Sequence, residues 1–331
     1  MKISQEEITR ILQSRRELYR DDVTEIEKIA GLYPRGYISI NASEAGTGKT
    51  WLMQYIACQL SIGGTILNGL EIDAKPRKVV IMSGETGAKL LNIRMAASNW
   101  AYNPKNVIIY DSVQMGIDGI PYLLNTPEGQ KTLHIIMMEE KPDIIFFDTL
   151  ISFHTADENK QAEMINIYLF LAKIASHYNC AVVLNHHTRK RPSHQSNREF
   201  NQDDIIGSST GIRIANCAYL ITTDGKTQTV KNVKSWDKKL SPFTYTFTVR
   251  DGYTDFDVNL HVEADYSPQE KISELIDTMN ENAIITTPEA ASKLHITKQS
   301  ARYYLEKFAD IGRLTKITFM NENAYRKRIE S

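Results

Sequence analysis

The stretch Ser43-Glu44-Ala45-Gly46-Thr47-Gly48-Lys49-Thr50 decides the fold. Before it lies a short β-rich run, Tyr37-Ile38-Ser39-Ile40, and after it residues 50–60 have the composition of a helix. Strand, glycine-containing loop and helix in that order follow the pattern G-x-x-x-x-G-K-[ST]. Gly46, Gly48, Lys49 and Thr50 fit it, and Ser43 stands where a first glycine is expected. A small residue suffices there if the backbone is not left-handed. Such a loop is expected to curl its N–H groups around phosphate oxygens, and the helix N-terminus adds partial positive charge.

Working outward, residues 78–82, 106–110, 143–148 and 180–185 are further buried-strand runs separated by helical stretches. Strand and helix alternating in this way predict an α/β fold, with a mostly parallel sheet covered on both faces. From about residue 217 the pattern turns to β, with predicted strands over 217–223, 228–233 and 243–249. Residues 270–279 are amphipathic, Thr287-Pro288 opens a short helix as cap and first residue, and 297–308 make a third. Runs at 314–319 and 324–328, joined by Asn321-Glu322-Asn323, complete a predicted winged helix-turn-helix. The expected organisation is a helical arm over 1–34, an ATPase-type domain over 35–265 and a winged-helix domain over 266–331.

The chain has 331 residues, 42% hydrophobic and 24% charged, in the range of ordinary globular domains. It contains no apolar run of the ~18 residues a membrane span needs, and its acidic first residues are unlike a secretory signal. Cys58, Cys180 and Cys217 are scattered in apolar runs, without disulfide or metal spacing. These features predict a cytoplasmic protein. The net charge of -1 means that any nucleic-acid contact must come from local basic patches.

Each predicted strand end carries candidate chemistry. The nucleotide-binding set is Ser43, Glu44, Ala45, Gly46, Thr47, Gly48, Lys49, Thr50 and Trp51, with ATP and Mg2+ as cofactors. Lys49 is expected to reach the terminal phosphates, and the Thr50 hydroxyl to ligate magnesium. Asp148 ends an apolar strand, where a carboxylate can hold the magnesium shell. Glu85 follows the second strand, where it can orient and deprotonate a water. His186 and His187 end the fifth, where one of them can sense the γ-phosphate; their side chains point to opposite faces of the strand.

These residues together resemble the RecA-like ATPases, and among them the plasmid RepA-type replicative helicases related to DnaB. The resemblance rests on the phosphate loop, Ser83-Gly84-Glu85, Phe146-Phe147-Asp148-Thr149-Leu150 and His186-His187-Thr188-Arg189-Lys190, and covers about residues 30–250. It implies a RecA core in a ring, usually a homo-hexamer, with ATP between subunits. In such rings the catalytic glutamate corresponds to Glu85 and the phosphate sensor to His186 or His187. A basic finger reaches the neighbour's site. RepA-type chains place an Arg before a Gly-Ser-Ser run, but here Ile206 precedes Gly207-Ser208-Ser209. The finger candidates are therefore Lys234 or Lys231, then Arg213.

The basic segment carrying Arg189, Lys190, Arg191 and Arg198 follows the sensor strand. In RecA-like rings such a loop lines the channel, and its charge would track single-stranded DNA. The C-terminal module would present Lys298 and Arg302 on its second helix, and Lys316, Arg326, Lys327 and Arg328 on the wing, to duplex DNA or to a protein. The expected function is an ATP-hydrolysing DNA-associated motor, a RepA-like replicative helicase of a plasmid, phage or mobile element. The alternative is an ATP-switched DNA-binding regulator or recombinase-like ATPase without unwinding activity.

Overall fold

The chain divides into two compact units, Met1–Val262 and Glu263–Ser331. The computed structural model describes residues 4–21, 25–63, 75–158, 160–188, 210–236, 240–250, 253–259, 268–280, 283–294, 297–319 and 322–328.

In the first unit, helix α1 (Gln5–Asp21) precedes a two-stranded antiparallel ribbon, β1 (Lys28–Ile29) and β2 (Tyr33–Pro34). Next come β3 (Ile38–Ser43), α2 (Lys49–Ile62), β4 (Val79–Ser83), α3 (Ala88–Ala96), β5 (Val107–Asp111) and α4 (Ser112–Ile117). They are followed by α5 (Pro127–Glu140), β6 (Ile144–Asp148), a 3-10 turn (Leu150–Phe153), α6 (Gln161–Tyr178) and β7 (Ala181–His187). After α7 (Thr210–Ile214) the chain continues through β8 (Cys217–Thr223), β9 (Gln228–Lys234), β10 (Phe243–Arg250) and β11 (Tyr253–Asn259).

Nine strands form one sheet in the order β11-β10-β9-β8-β3-β7-β6-β4-β5. From β8 to β5 every pairing is parallel, and β9, β10 and β11 extend the sheet antiparallel. Every residue of β3, β4 and β6 is buried, which explains their continuous apolar runs. The two-residue period still sorts them. Val79, Ile81, Ile144 and Phe146 pack on one face with Leu52, Met53 and Ile56 of α2. Val80, Met82, Ile145 and Phe147 pack on the other with α5 and α6, through Leu133, Ile136 and Leu171. Phe146 and Phe147 are both fully buried, and truncating either would cost about 3–5 kcal/mol.

In this unit two features differ from the sequence reading. The expected helical arm over residues 1–34 is helix only over Gln5–Asp21. Ile29, Ala30, Leu32 and Tyr33 instead join the core, on a ribbon that turns through Ala30 and Gly31 at positive φ. Such short strands carry almost no periodicity, so the pattern hides them. The edge strand β11 was also not expected; its Asp255 and Asp257 mask the β signal, as charged residues on edge strands commonly do. Among the described residues no helix is long and apolar enough to cross a membrane. All three cysteines are buried and free.

In the second unit, α8 (Pro268–Thr278), β12 (Ile284–Thr286), α9 (Thr287–Lys293), α10 (Lys298–Asp310), β13 (Leu314–Phe319) and β14 (Glu322–Lys327) surround a small core. Ile272, Ile276, Ala290, Ala301, Leu305 and Tyr325 fill it. The three strands pair antiparallel in the order β12-β14-β13, so the hairpin gains a strand that was not expected. Helix α9 is capped by Thr286, not Thr287: its hydroxyl accepts from the Glu289 amide while Glu289 reaches back, a full capping box. Glu322, expected in the turn, opens β14.

Candidate nucleotide site

Register brings the chemistry together. Beside β3, strand β7 sets His187 next to Ser43 and Asn185 next to Asn41. Beside β4, strand β6 sets Asp148 next to Ser83. The carboxyl ends of four neighbouring strands thus open on one crevice, where open α/β sheets bind ligands. That crevice is a pocket of about 290 Å³ whose lining includes Gly46, Lys49, Thr50, Glu85, Asp148 and His187.

Ser43 is the last residue of β3, extended and fully buried, so no glycine is needed there. The left-handed positions are Gly46 (φ 77) and Gly48 (φ 101), the latter directly before α2. Lys49 is 7% exposed, with Nζ 2.9 Å from Ser43 Oγ and 3.3 Å from the carbonyl oxygens of Ser43 and Glu44. Burial holds its pKa below the ordinary lysine value, against the charges of Asp148 and Glu85. Among the described residues no carboxylate pairs with it. A buried cation hydrogen-bonded to neutral acceptors beside a helix N-terminus fits a phosphate group.

The Thr50 hydroxyl donates to Asp148 Oδ2 at 2.8 Å, and Asn185 Nδ2 donates to Asp148 Oδ1 at 2.8 Å. Burial raises the Asp148 pKa, and these two donors oppose it. A hydroxyl and a carboxylate side by side next to the phosphate loop are the oxygen donors a magnesium ion takes. Bound there, the ion would neutralise charge on the phosphates.

Glu85 Oε1 accepts from the Thr149 hydroxyl at 2.7 Å and lies 3.2 Å from His187 Nε2. The His187 hydrogen bond is the main reason its pKa falls to about 2, and Thr149 adds to the effect against partial burial. These two donors hold the group as a carboxylate. His187 Nδ1 lies 3.5 Å from Lys49 Nζ, so this imidazole spans lysine and glutamate.

The two histidines separate. His186, 3% exposed, faces the opposite side of the sheet, with Nε2 3.2 Å from the Tyr168 hydroxyl and 3.7 Å from Glu158. Burial lowers its pKa to about 4. It lines a neighbouring pocket of about 450 Å³ that shares Ala45, Thr149 and His187 with the first but contains neither Lys49 nor Asp148.

Strand β10 of the antiparallel extension reaches the same crevice. Phe247 stacks on Trp51 with ring centres 5.5 Å apart, and the Arg94 guanidinium lies 4.8 Å from the Trp51 ring centre. The Tyr245 hydroxyl donates to the Gly48 carbonyl at 3.1 Å. Sequence reasoning missed Asn185, Thr149, Arg94, Tyr245 and Phe247. The aromatic alternation of 243–249 marked a strand face, but its partner was invisible.

Lys231, Lys234 and Arg213 do not line the pocket that contains Lys49. Lys231 and Lys234 sit on β9, and Lys234 Nζ donates to the carbonyls of Ile212 and Arg213 at 2.6 and 3.1 Å. Arg213 is exposed on α7. Arg189, Lys190, Arg191, Arg198 and the run 206–209 lie outside the described residues. In the second unit Glu306 pairs with both Arg302 (3.4 Å) and Lys316 (3.1 Å). Lys327 is engaged at the end of α8, donating to the carbonyls of Asp277 and Met279. Lys298, Arg326 and Arg328 are exposed.

Comparison with known proteins bears on the fold. A solved ATPase domain shares the fold, with a TM-score of 0.51, 14% identity, and coverage of 75% of this chain and 97% of that one. The KaiC-like protein PH0186 from Pyrococcus horikoshii OT3 aligns with a TM-score of 0.46 and 15% identity, over 70% of this chain and 100% of that one. No curated protein matches. The mostly parallel sheet with its phosphate loop is a RecA-like P-loop core. Residues 22–193, more than half of the chain, match the family described as AAA domain, and the protein belongs to that family.

Proposed function

We propose that the protein hydrolyses ATP with magnesium and works as a DNA-associated motor of the RepA-like replicative helicase kind. The observation that carries this reading is the convergence of Lys49, Thr50, Asp148, Glu85 and His187 on one crevice at the strand ends. Lys49 and the loop amides bind the phosphates, and Thr50 with Asp148 holds the metal. Glu85 takes a proton from the attacking water, and His187 is the better placed phosphate sensor because it touches both Lys49 and Glu85.

The active form is a ring, a homo-hexamer, in the cytoplasm of a cell that carries a plasmid, phage or mobile element. Lys231, Lys234 or Arg213 serves as the finger for the neighbouring site, and the basic segment from Arg189 to Arg198 follows single-stranded DNA. The order of helices and strands in the second unit supports a winged helix. Its exposed Lys298, Arg326 and Arg328 are the first candidates for phosphate contact on duplex DNA. The Glu306 pairs with Arg302 and Lys316 favour a protein partner as the second reading for that unit.

The test is ATP turnover with and without single-stranded DNA, with Lys49→Ala as control. Strong stimulation by single strands supports the motor. Turnover that ignores them favours an ATP-switched regulator, and normal turnover by Lys49→Ala sinks the phosphate-loop assignment.

A further inference from the structure

Thr149 occupies the N-cap position of the 3-10 turn Leu150–Phe153, yet its side chain caps nothing there. A threonine at such a position ordinarily accepts a hydrogen bond from one of the next amides. Here the hydroxyl donates 2.7 Å across to Glu85 Oε1, on the loop after the neighbouring strand. Thr149 is 2% exposed, so its rotamer is held by packing, and it lines the pocket that contains Lys49.

The backbone around this contact is tightly tied. The Gly84 amide donates to the Asp148 carbonyl at 2.8 Å, extending the Ser83–Asp148 register by one residue. A Cβ on Gly84 would lie 2.1 Å from Ser152 Cβ, so only glycine lets the Glu85 loop come this close to the 3-10 turn. Both known donors to Glu85, Thr149 and His187, reach the same oxygen, Oε1. Among the described residues none reaches Oε2.

We propose that Thr149 is the positioning residue of the hydrolytic step: it anchors Glu85 Oε1 so that Oε2 is the oxygen that receives the proton of the attacking water. The inference rests on the reading of the chain as an ATP hydrolase with Glu85 as base. In that step one O–H bond of water breaks and its proton passes to Oε2. The water oxygen bonds to the γ-phosphorus, and the bond from that phosphorus to the bridging oxygen breaks. The electron pair leaves with ADP. A carboxylate free to rotate would present either oxygen at varying angles. One buried hydroxyl on Oε1 removes that freedom before substrate arrives.

The experiment is steady-state ATP turnover by the full chain and by Thr149→Val, Thr149→Ser, Glu85→Gln and the Thr149→Val/Glu85→Gln double variant, with thermal unfolding of each. Valine matches threonine in shape but lacks the hydroxyl, and serine keeps the hydroxyl. The expected result is that Thr149→Val loses about 10–100-fold in kcat, a part of what a general base contributes, with little change in KM. Thr149→Ser restores turnover to within about threefold, and Thr149→Val adds nothing in the Glu85→Gln background, because residues acting as a unit are not additive. Unchanged kcat in Thr149→Val overturns the proposal. So does a serine variant as slow as valine, or a valine effect that multiplies with Glu85→Gln. Full turnover by Glu85→Gln overturns Glu85 as the base, and a wild type inert toward ATP overturns the hydrolase reading itself.

Discussion

The Thr50 hydroxyl and the Asp148 carboxylate meet at 2.8 Å, although 98 residues separate them in the chain. Parallel pairing in the sheet makes this possible, because it delivers the end of β6 to the first turn of α2. On the other side of the same carboxylate, Asn185 of β7 donates to Oδ1 and itself accepts from Asn41 Nδ2 at 3.2 Å.

Asn185→Ala is expected to weaken magnesium-dependent turnover by about 10–100-fold, the usual effect of losing a residue that orients a metal ligand. A magnesium titration of ATP hydrolysis checks this. An unchanged half-saturating magnesium concentration would show that Asp148 does not need this donor.

Gly48→Ala should be costly for two separate reasons. The backbone there has φ 101, and an added Cβ would lie 2.6 Å from Phe247 Cε1. The backbone strain alone is about 1–3 kcal/mol. Urea unfolding should show the loss, and nucleotide affinity should fall with it. In the Phe247→Ala background the clash disappears but the strain remains, so only part of the stability returns.

Acid should weaken the base of the sheet. Arg35 reaches Glu27 and Asp143, each at 2.5 Å, and Arg77 also pairs with both. Burial pushes the two carboxyl groups up, but the arginines more than offset it and hold both below their ordinary values of 4.5 and 3.8. A carboxyl whose folded pKa is depressed contributes stability above its unfolded value and loses it as pH falls through the folded one. Stability should therefore drop below those ordinary values, and Glu27→Gln should flatten that drop. Urea midpoints measured near neutrality and at about pH 3 test the sign; a wild-type advantage over Glu27→Gln that is undiminished in acid would contradict it.

Glu306→Ala frees Arg302 and Lys316 at once. If the second unit grips duplex DNA, this variant of the full chain should bind more tightly at low salt. Its log–log salt slope should steepen by about 1 for each cation that gains a phosphate. Duplex affinity that ignores the substitution would point to a protein partner instead.

Much of this was legible along the chain. Five of the parallel strands, the loop, Lys49, Asp148 and Glu85 all announce themselves, because β-rich apolar runs mark the strands, the half-buried edge strand β5 included, and phosphate loops need glycine at set spacing. Local signals failed where elements are short or charged: the Lys28–Pro34 ribbon, β11 and β12. They failed also at capping, where Thr286 rather than Thr287 holds the first turn of α9.

The sequence by itself determined the fold class and the phosphate loop, since both rest on periodicity and spacing within a few residues. Only the tertiary structure decided which histidine faces Lys49, which donors hold Asp148 and Glu85, and that Tyr245 and Phe247 cover the loop. Those relations depend on strand order and register across separations of up to 197 residues, as between Tyr245 and Gly48. Register is set by how the whole core packs, and no local stretch of the chain carries it.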